Sequence, residues 1–321
     1  MEQKIKLNEI DFKLLAYLYH HNREPLTKIA KATKLTRQQV EYRLENYINS
    51  GLIKQFVTII NYSAIGLSKF AVLFLKADKY CNLNKIKQNL KSNKNCISFG
   101  ELQGEYDLYI DLICKDEEEL NTCVNKIISS EFVSDYSLMN PYFTEIYPVK
   151  FADKKYDKPF SLIDSNSKSI NLTKIEKEVL KIIAGDSRVS LVDIADRCKI
   201  SPEVAFHTLK RLEKQGVIQG TKILFDLSLI GYNYAAILFN ISGESNKILD
   251  KLKYFARNNP YVNSLGLSIN KPNCFIQVFY KTTEDLKKTI FELKEVLKDS
   301  YVSYNILNVL EEEQLSLLPD F

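Results

Sequence analysis

Shifted by 165 residues, this 321-residue chain matches itself. Positions 7–76 align with 172–241 without a gap, and seventeen of those 70 positions are identical. They include Leu15/Leu180, Arg23/Arg188, Ile29/Ile194, Ala30/Ala195, Leu44/Leu209, Gly51/Gly216 and Gly66/Gly231. A repeat this long is a duplicated domain pair, not a short solenoid unit. Whatever one half folds into, the other half must build as well.

Within each copy the hydrophobic period changes once. The first part has helical spacing: Ile175, Val179, Ile182 and Ile183, then Leu191, Ile194 and Ala195, then Val204, Leu209 and Leu212. Ser201-Pro202 predicts an N-cap with proline at the first helical position, and Gly216 a left-handed stop. Thr36 and Gly51 repeat the plan. Three short helices with a tight turn before the third predict a helix-turn-helix. The second part alternates strands near 69–77, 96–103, 106–114 and from 132 with helices near 82–92 and 117–129. That order predicts a ferredoxin-like βαββαβ sheet domain, giving an α+β fold in duplicate. The expected boundaries are 1–60 and 170–225 for the helix-turn-helix domains, 61–150 and 226–321 for the sheet domains, and 151–169, polar and holding Pro159, for a linker.

Charge follows the same division. Residues 1–60 carry 10 Lys/Arg against 6 Asp/Glu, and residues 166–222 carry 11 against 7. Both stretches are therefore +4 in a chain of net charge +4, so the remainder is −4. Basic islands of this kind attract phosphate backbones. The six cysteines form no CxxC pair, which argues against zinc and for a reducing, cytoplasmic setting. No apolar run is long enough to span a membrane, and the N-terminus has no signal core. No Ser/His/Asp set, phosphate loop or metal constellation stands out, so neither a cofactor nor a catalytic residue is expected.

The stretch GDSRVSLVDIADRCKISPEVAFHTLKRLEKQGVIQGTKILFDLSLIGY (185–232) closely resembles the DNA-binding region of the Lrp/AsnC, or feast/famine, regulators. Asp186-Ser187-Arg188, Ile194-Ala195, Ser201-Pro202, Arg211-Leu212-Glu213, Gly216-Val217-Ile218 and Ile230-Gly231 carry the resemblance. Copy 1 keeps Asn22-Arg23, Ile29-Ala30, Thr36, Arg43-Leu44, Gly51-Leu52-Ile53 and Ile65-Gly66. The resemblance implies a sequence-specific transcriptional regulator that binds double-stranded DNA, with sheet domains that sense an effector such as an amino acid and oligomerise.

A recognition helix presents its N-terminal residues and outer face to the major groove. In copy 1 the candidates are Thr36, Arg37, Gln38, Gln39, Tyr42 and Arg43, with Val40, Leu44 and Tyr47 inward. In copy 2 they are Ser201, His207, Thr208, Lys210 and Lys214. Thr208 stands where family members commonly carry Arg, and Glu203 adds a negative charge, so copy 2 is expected to bind more weakly or through phosphate. Arg23 and Arg188, between the first and second helices, fit either a phosphate contact or a helix-end cap. In the sheet domain, Gly104, Glu105, Tyr106 and Asp107 match a family turn near the effector site; a plain hairpin turn is the competing reading. The corresponding stretch 268–278 lacks the motif.

Two other functions share this architecture. One is a fused siroheme-decarboxylase-like enzyme, whose relatives use His and Arg in the sheet domain. Here His20, His21 and His207 all lie in helix-turn-helix segments, and the chain has no tryptophan. The other is an effector-domain scaffold without DNA binding. For assembly, the simplest expectation is an intramolecular pseudo-dimer, with further pairing of whole chains.

Overall fold

The computed structural model describes residues 5–130, 133–148, 150, 159–163, 169–242, 246–315 and 318. The first half runs α1 (Glu9–His21), α2 (Leu26–Thr33), α3 (Arg37–Asn49), β1 (Ile53–Ile60), β2 (Lys69–Ala77), α4 (Leu83–Lys91), β3 (Cys96–Gln103), β4 (Leu108–Cys114), α5 (Glu117–Ile128), β5 (Val133–Met139) and β6 (Pro141–Ile146). The second runs α6 (Lys174–Gly185), α7 (Leu191–Cys198), α8 (Pro202–Lys214), β7 (Ile218–Phe225), β8 (Asn233–Ile241), α9 (Asn246–Asn258), β9 (Val262–Ser268), β10 (Cys274–Tyr280), α10 (Thr283–Leu297) and β11 (Tyr301–Gln314). Of the expected linker, 151–158 and 164–168 lie outside the described residues.

These elements form two compact units, and each unit draws on both halves of the chain. One holds α1–α3 with β1 and α6–α8 with β7. The helices start where capping side chains satisfy free N–H groups. Asn8 with Asp11, Thr36 with Gln39, and Thr173 with Glu176 form reciprocal capping boxes. Ser201 caps α8 ahead of Pro202. Lys34 and Lys199, with φ of 58° and 55°, make the left-handed turn before each third helix. Gly51 and Gly216 follow α3 and α8 at φ of 77° and 74°, where a Cβ would be strained.

The inward stripes differ in register from the sequence expectation. In α8 the buried face is Ala205, Thr208, Leu209 and Leu212, and Val204 is exposed. In α6 it is Glu176, Val179, Leu180 and Ile183, while Ile175 is exposed. β1 pairs antiparallel with β7, and Val57 faces Lys222, its own counterpart at an offset of 165. Each strand also bonds the first helix of the other half. Thr58 Oγ1 donates to the Ile183 carbonyl at 2.6 Å and Asn22 Nδ2 to the Lys222 carbonyl at 3.1 Å. Ile223 of β7 accordingly sits in the core of the first module with Leu14, Leu18, Ile29, Val40 and Leu44.

The second unit is a nine-stranded sheet, among the described residues, in the order β5-β2-β4-β3-β11-β8-β10-β9-β6. Four strands from each half have the 4-1-3-2 order of a ferredoxin-like domain. The 14-residue β11 pairs with β8 along its first part and with β3 along its second. β5 pairs with β2 and β6 with β9, and only Asn140 separates β5 from β6. The last strand of each half therefore begins in its own sheet and finishes on the other. β2 is apolar from Phe70 to Leu75 because both its faces are buried there: Leu73 and Leu75 pack with Ile86, Leu90, Leu120 and Val124, while Phe70, Val72 and Phe74 are buried opposite. Burying each such side chain contributes about 1.5–3 kcal/mol.

Each half makes room for one aromatic ring beneath a glycine. A Cβ on Gly100 would lie 2.3 Å from the Tyr109 ring and 2.8 Å from the Glu311 carbonyl oxygen. On Gly266 it would lie 1.9 Å from the Phe275 ring. In both cases glycine and ring are direct cross-strand partners.

Candidate DNA-binding surface

The third helix of the first module is fixed at its N-terminus. Thr36 Oγ1 accepts from Gln39 N at 3.1 Å, and Gln39 Oε1 accepts from Thr36 N at 2.9 Å. These two candidate base contacts thus close the helix's own capping box. Val40, Leu44 and Tyr47 are buried, as expected. Arg43 is not an open outward side chain. Its guanidinium pairs with Asp11, which also accepts from Tyr47 Oη at 2.6 Å. Burial, and then the Asp11 carboxylate, push the Tyr47 phenol above its ordinary range. Outward at the start of α3 are Arg37, Gln38, Glu41 and Tyr42, the last 67% exposed. Lys28, Lys31 and Lys34 are exposed along and just beyond α2. Guanidinium, amide and phenol groups can read base edges, and a lysine row can neutralise phosphates.

The second module keeps the scaffold and changes the chemistry. Position for position, Arg37, Gln38, Gln39 and Tyr42 become Pro202, Glu203, Val204 and His207, and Lys28 and Lys31 become Asp193 and Asp196. Thr208, expected to face outward, is buried, because the 43/208 position lies at the seam with the first helix. The acidic residue it would meet, Glu176, pairs instead with Arg211 at 2.6 Å. Burial pushes the Glu176 carboxyl up, but hydrogen bonds from Thr173, then the Arg211 guanidinium, together hold it below its usual range. His207, Lys210 and Lys214 are exposed, with Lys210 paired to Glu213 at 2.7 Å and Ser201 Oγ accepting from Val204 N at 3.2 Å. The Asp11–Arg43 and Glu176–Arg211 pairs escaped sequence reading. Their signal was an acid at matched positions, with its cation displaced along the third helix.

Arg23 and Arg188 join the modules. The Arg23 guanidinium donates to the Ser187 carbonyl, and that of Arg188 donates to the Asn22 carbonyl. Ser187 Oγ donates to Asn22 Oδ1 at 2.8 Å between them, and Arg188 lies 5.3 Å over the Phe56 ring. Burial draws both guanidinium groups below their ordinary pKa.

In the sheet unit, the 104–107 turn is tied into the strands. Asp107 Oδ2 accepts from Ala77 N at 2.7 Å, and its backbone bonds Leu75 and Leu102. Asn305 donates to Glu105. Tyr106 lies 5.5 Å from Phe74, and burial, followed by the Glu105 charge, raises its phenol. A Cβ on Gly104 would meet the Leu307 side chain at 2.7 Å. The second half repeats the Asp107 contact with Asn273, whose side chain bonds Ile241 N at 2.7 Å and Ile241 O at 2.9 Å. Among the described residues, no cluster of three or more His, Cys, Asp and Glu is placed to hold a metal, and no helix is long and apolar enough to cross a membrane.

The winged helix-turn-helix DNA-binding family matches residues 7–54 and 172–219. The HTH-type transcriptional regulator FL11 of Pyrococcus horikoshii is 32% identical over 126 residues, which are 39% of this chain and 82% of that protein. Regulatory protein AsnC of Haemophilus influenzae is 23% identical over 88 residues, 26% of this chain and 59% of that one. Among solved structures, the siroheme decarboxylase NirDL shares the fold over 98% of this chain and 94% of its own, with a TM-score of 0.64 and 18% identity.

Proposed function

The chain belongs to the Lrp/AsnC family of transcriptional regulators, and from that premise we propose that its first module reads DNA sequence while its second supplies the pseudo-symmetric frame. It is a DNA-binding regulator by its two helix-turn-helix modules and its relatives. The observation that carries the division of labour is the contrast at matched positions: Arg37, Gln38 and Tyr42 beside Lys28 and Lys31 in one module, Pro202, Glu203 and His207 beside Asp193 and Asp196 in the other. Thr36, Gln39 and Arg43 position α3 rather than touch bases. Arg23 and Arg188 hold the modules together. Lys210 and Lys214 are left for phosphate contact in the second.

Each half contributes one helix-turn-helix domain and one sheet domain to an intramolecular pseudo-dimer. The β1–β7 register about Val57 and Lys222 and the exchanged last strands support this reading. The turn with Gly104, Glu105, Tyr106 and Asp107 is the place where an amino-acid effector would influence the sheet. We place the protein in the cytoplasm. The test is duplex binding by the whole chain between low and physiological salt. Affinity is expected to fall steeply as lysine and arginine contacts release counterions; a flat response contradicts DNA as the partner.

The NirDL likeness favours a second reading, a tetrapyrrole enzyme, through fold alone. Residue chemistry runs against it. His20 is packed between Tyr19 and Phe160, with ring centroids at 4.9 and 5.1 Å. His21 stacks on Tyr17 and pairs with Glu24, and His207 is on the α8 surface. All three are in the helical unit. A siroheme titration that shifts the absorbance band would support the enzyme; an unchanged spectrum supports the regulator.

A further inference from the structure

The outward face of the second module differs from that of the first in more than charge. At the positions of Thr27, Gln39 and Glu41 it carries Val192, Val204 and Phe206. These three apolar side chains are exposed, by 57%, 43% and 43%. Among them, Asp193, Asp196 and Glu203 stand in place of Lys28, Lys31 and Gln38. On α8 the groups adjoin: the His207 ring lies 5.5 Å from that of Phe206, and its Nε2 is 3.9 Å from Glu203. A helix-turn-helix turns its second and third helices toward one target, so the outward side chains of α7 and α8 lie on one side of the module. Acids set among exposed apolar groups repel phosphate and suit a basic protein surface with an aromatic in it. The chain carries such a surface itself. Lys28, Lys31 and Arg37 are exposed on α2 and α3 of the first module, with Tyr42 67% exposed beside them. We propose that the α7–α8 face of the second module docks on the α2–α3 face of the first module of a second copy of this chain.

Symmetry closes the pair. Both modules belong to one compact unit, so every chain offers one acidic, apolar face and one basic face. A two-fold axis between two copies makes the contact twice, whereas a single unclosed contact would propagate. Asp193 and Asp196 are spaced along α7 as Lys28 and Lys31 are along α2, which lets the two charge pairs meet in one register. Lys28 also meets Glu24 at 2.6 Å, but its side chain is 64% exposed and such a pair holds weakly. Val192, Val204 and Phe206 leave water against the Tyr42 ring and the lysine stems. One consequence rests on the first module being the DNA reader. Its basic face cannot hold a second copy and a duplex at once, so association withholds the reading head until DNA displaces the copy.

The experiment measures self-association of the whole chain by sedimentation velocity at low salt without DNA, for the parent and two charge-reversed variants. One variant is Asp193→Lys with Asp196→Lys; the other is Lys28→Asp with Lys31→Asp. Each alone sets like charges against each other and is expected to weaken association on the order of ten-fold. An equimolar mixture of the two should regain the parent's affinity, because every basic face then meets an acidic one. That recovery also shows that both variants are folded. A parent that stays monomeric leaves the acidic face to a foreign basic segment and overturns the proposal. So does a mixture that associates no more tightly than either variant, which places any pairing of chains elsewhere. Adding an unlabelled duplex to the parent tests the consequence separately. Loss of the charge-dependent association supports competition for the first module. Recovery on mixing together with persistence in saturating duplex supports the docking and counts against DNA reading by that module.

Discussion

Arg23 and Arg188 occupy matched positions in the two modules, and each donates to the backbone carbonyl of the residue preceding the other: Arg23 to Ser187, Arg188 to Asn22. The exchange is reciprocal, and the Ser187–Asn22 hydrogen bond lies within it. It makes these arginines part of the seam between modules. Charged hydrogen bonds of this sort contribute about 1.5–3 kcal/mol each. Arg23→Ala or Arg188→Ala should therefore lower stability to urea by about that amount while leaving the salt dependence of DNA binding unchanged. If either substitution instead reduces the slope of log affinity against log salt by about one, that arginine contacts phosphate.

Arg43 and Arg37 should separate stability from specificity. Removing Arg43 strands Asp11 and Tyr47, so Arg43→Ala is expected to cost about 1–3 kcal/mol of folding free energy. Arg37→Ala and Gln38→Ala should leave unfolding unchanged and cost about 1–3 kcal/mol of discrimination between preferred and altered duplexes. Paired unfolding curves and competition binding decide this. Equal losses of discrimination from Arg43→Ala and Arg37→Ala would sink the distinction.

The second module should gain affinity when its charge is restored. Asp193→Lys combined with Glu203→Gln is expected to tighten binding to duplexes of any sequence and to steepen the salt slope by about one per added phosphate contact. A binding titration of the double variant that matches the parent at all salt concentrations would show that this face does not approach DNA.

Acid should loosen the helical unit before most carboxylates titrate. Burial beside Tyr19 and Phe160, with a smaller contribution from His21, lowers His20 from 6.5 to about 4. The neutral imidazole is thus favoured by the fold. This stability is present in full above pH 6.5 and is lost as pH falls toward 4, because the unfolded chain binds the proton first. The loss approaches about 3 kcal/mol for one such group. Urea unfolding at pH 7 and pH 5 should show it, and His20→Phe should flatten the difference. A parent chain equally stable at both values contradicts the assignment.

Local rules explain why much of this fold was readable. Thr36, Ser201-Pro202, Gly51 and Gly216 act within their own helices, so caps and stops appear in the sequence. The strands at 106–114 and 274–280 were legible from runs rich in aromatic and β-branched residues. β1 and β7 were not, because their partners lie 165 residues away and each strand's short run fits several roles. The outward face of α3 was legible only in part. Arg43 looks exposed by helical spacing, but Asp11, 32 residues earlier, claims it. Likewise Asp107 looks like an effector carboxylate until the Ala77 N–H is seen in front of it.

Selection of the whole chain on random double-stranded DNA tests the central claim most directly, run in parallel with the Arg37→Ala, Gln38→Ala double variant. The parent is expected to enrich a motif with one strongly specified half and a weakly specified half about one helical turn away, or a multiple of it, as a two-headed frame with one reading head requires. The double variant should lose the strong half and retain salt-dependent binding without sequence preference. Two equally specified half-sites, or a motif that survives the double variant, would contradict reading by the first module.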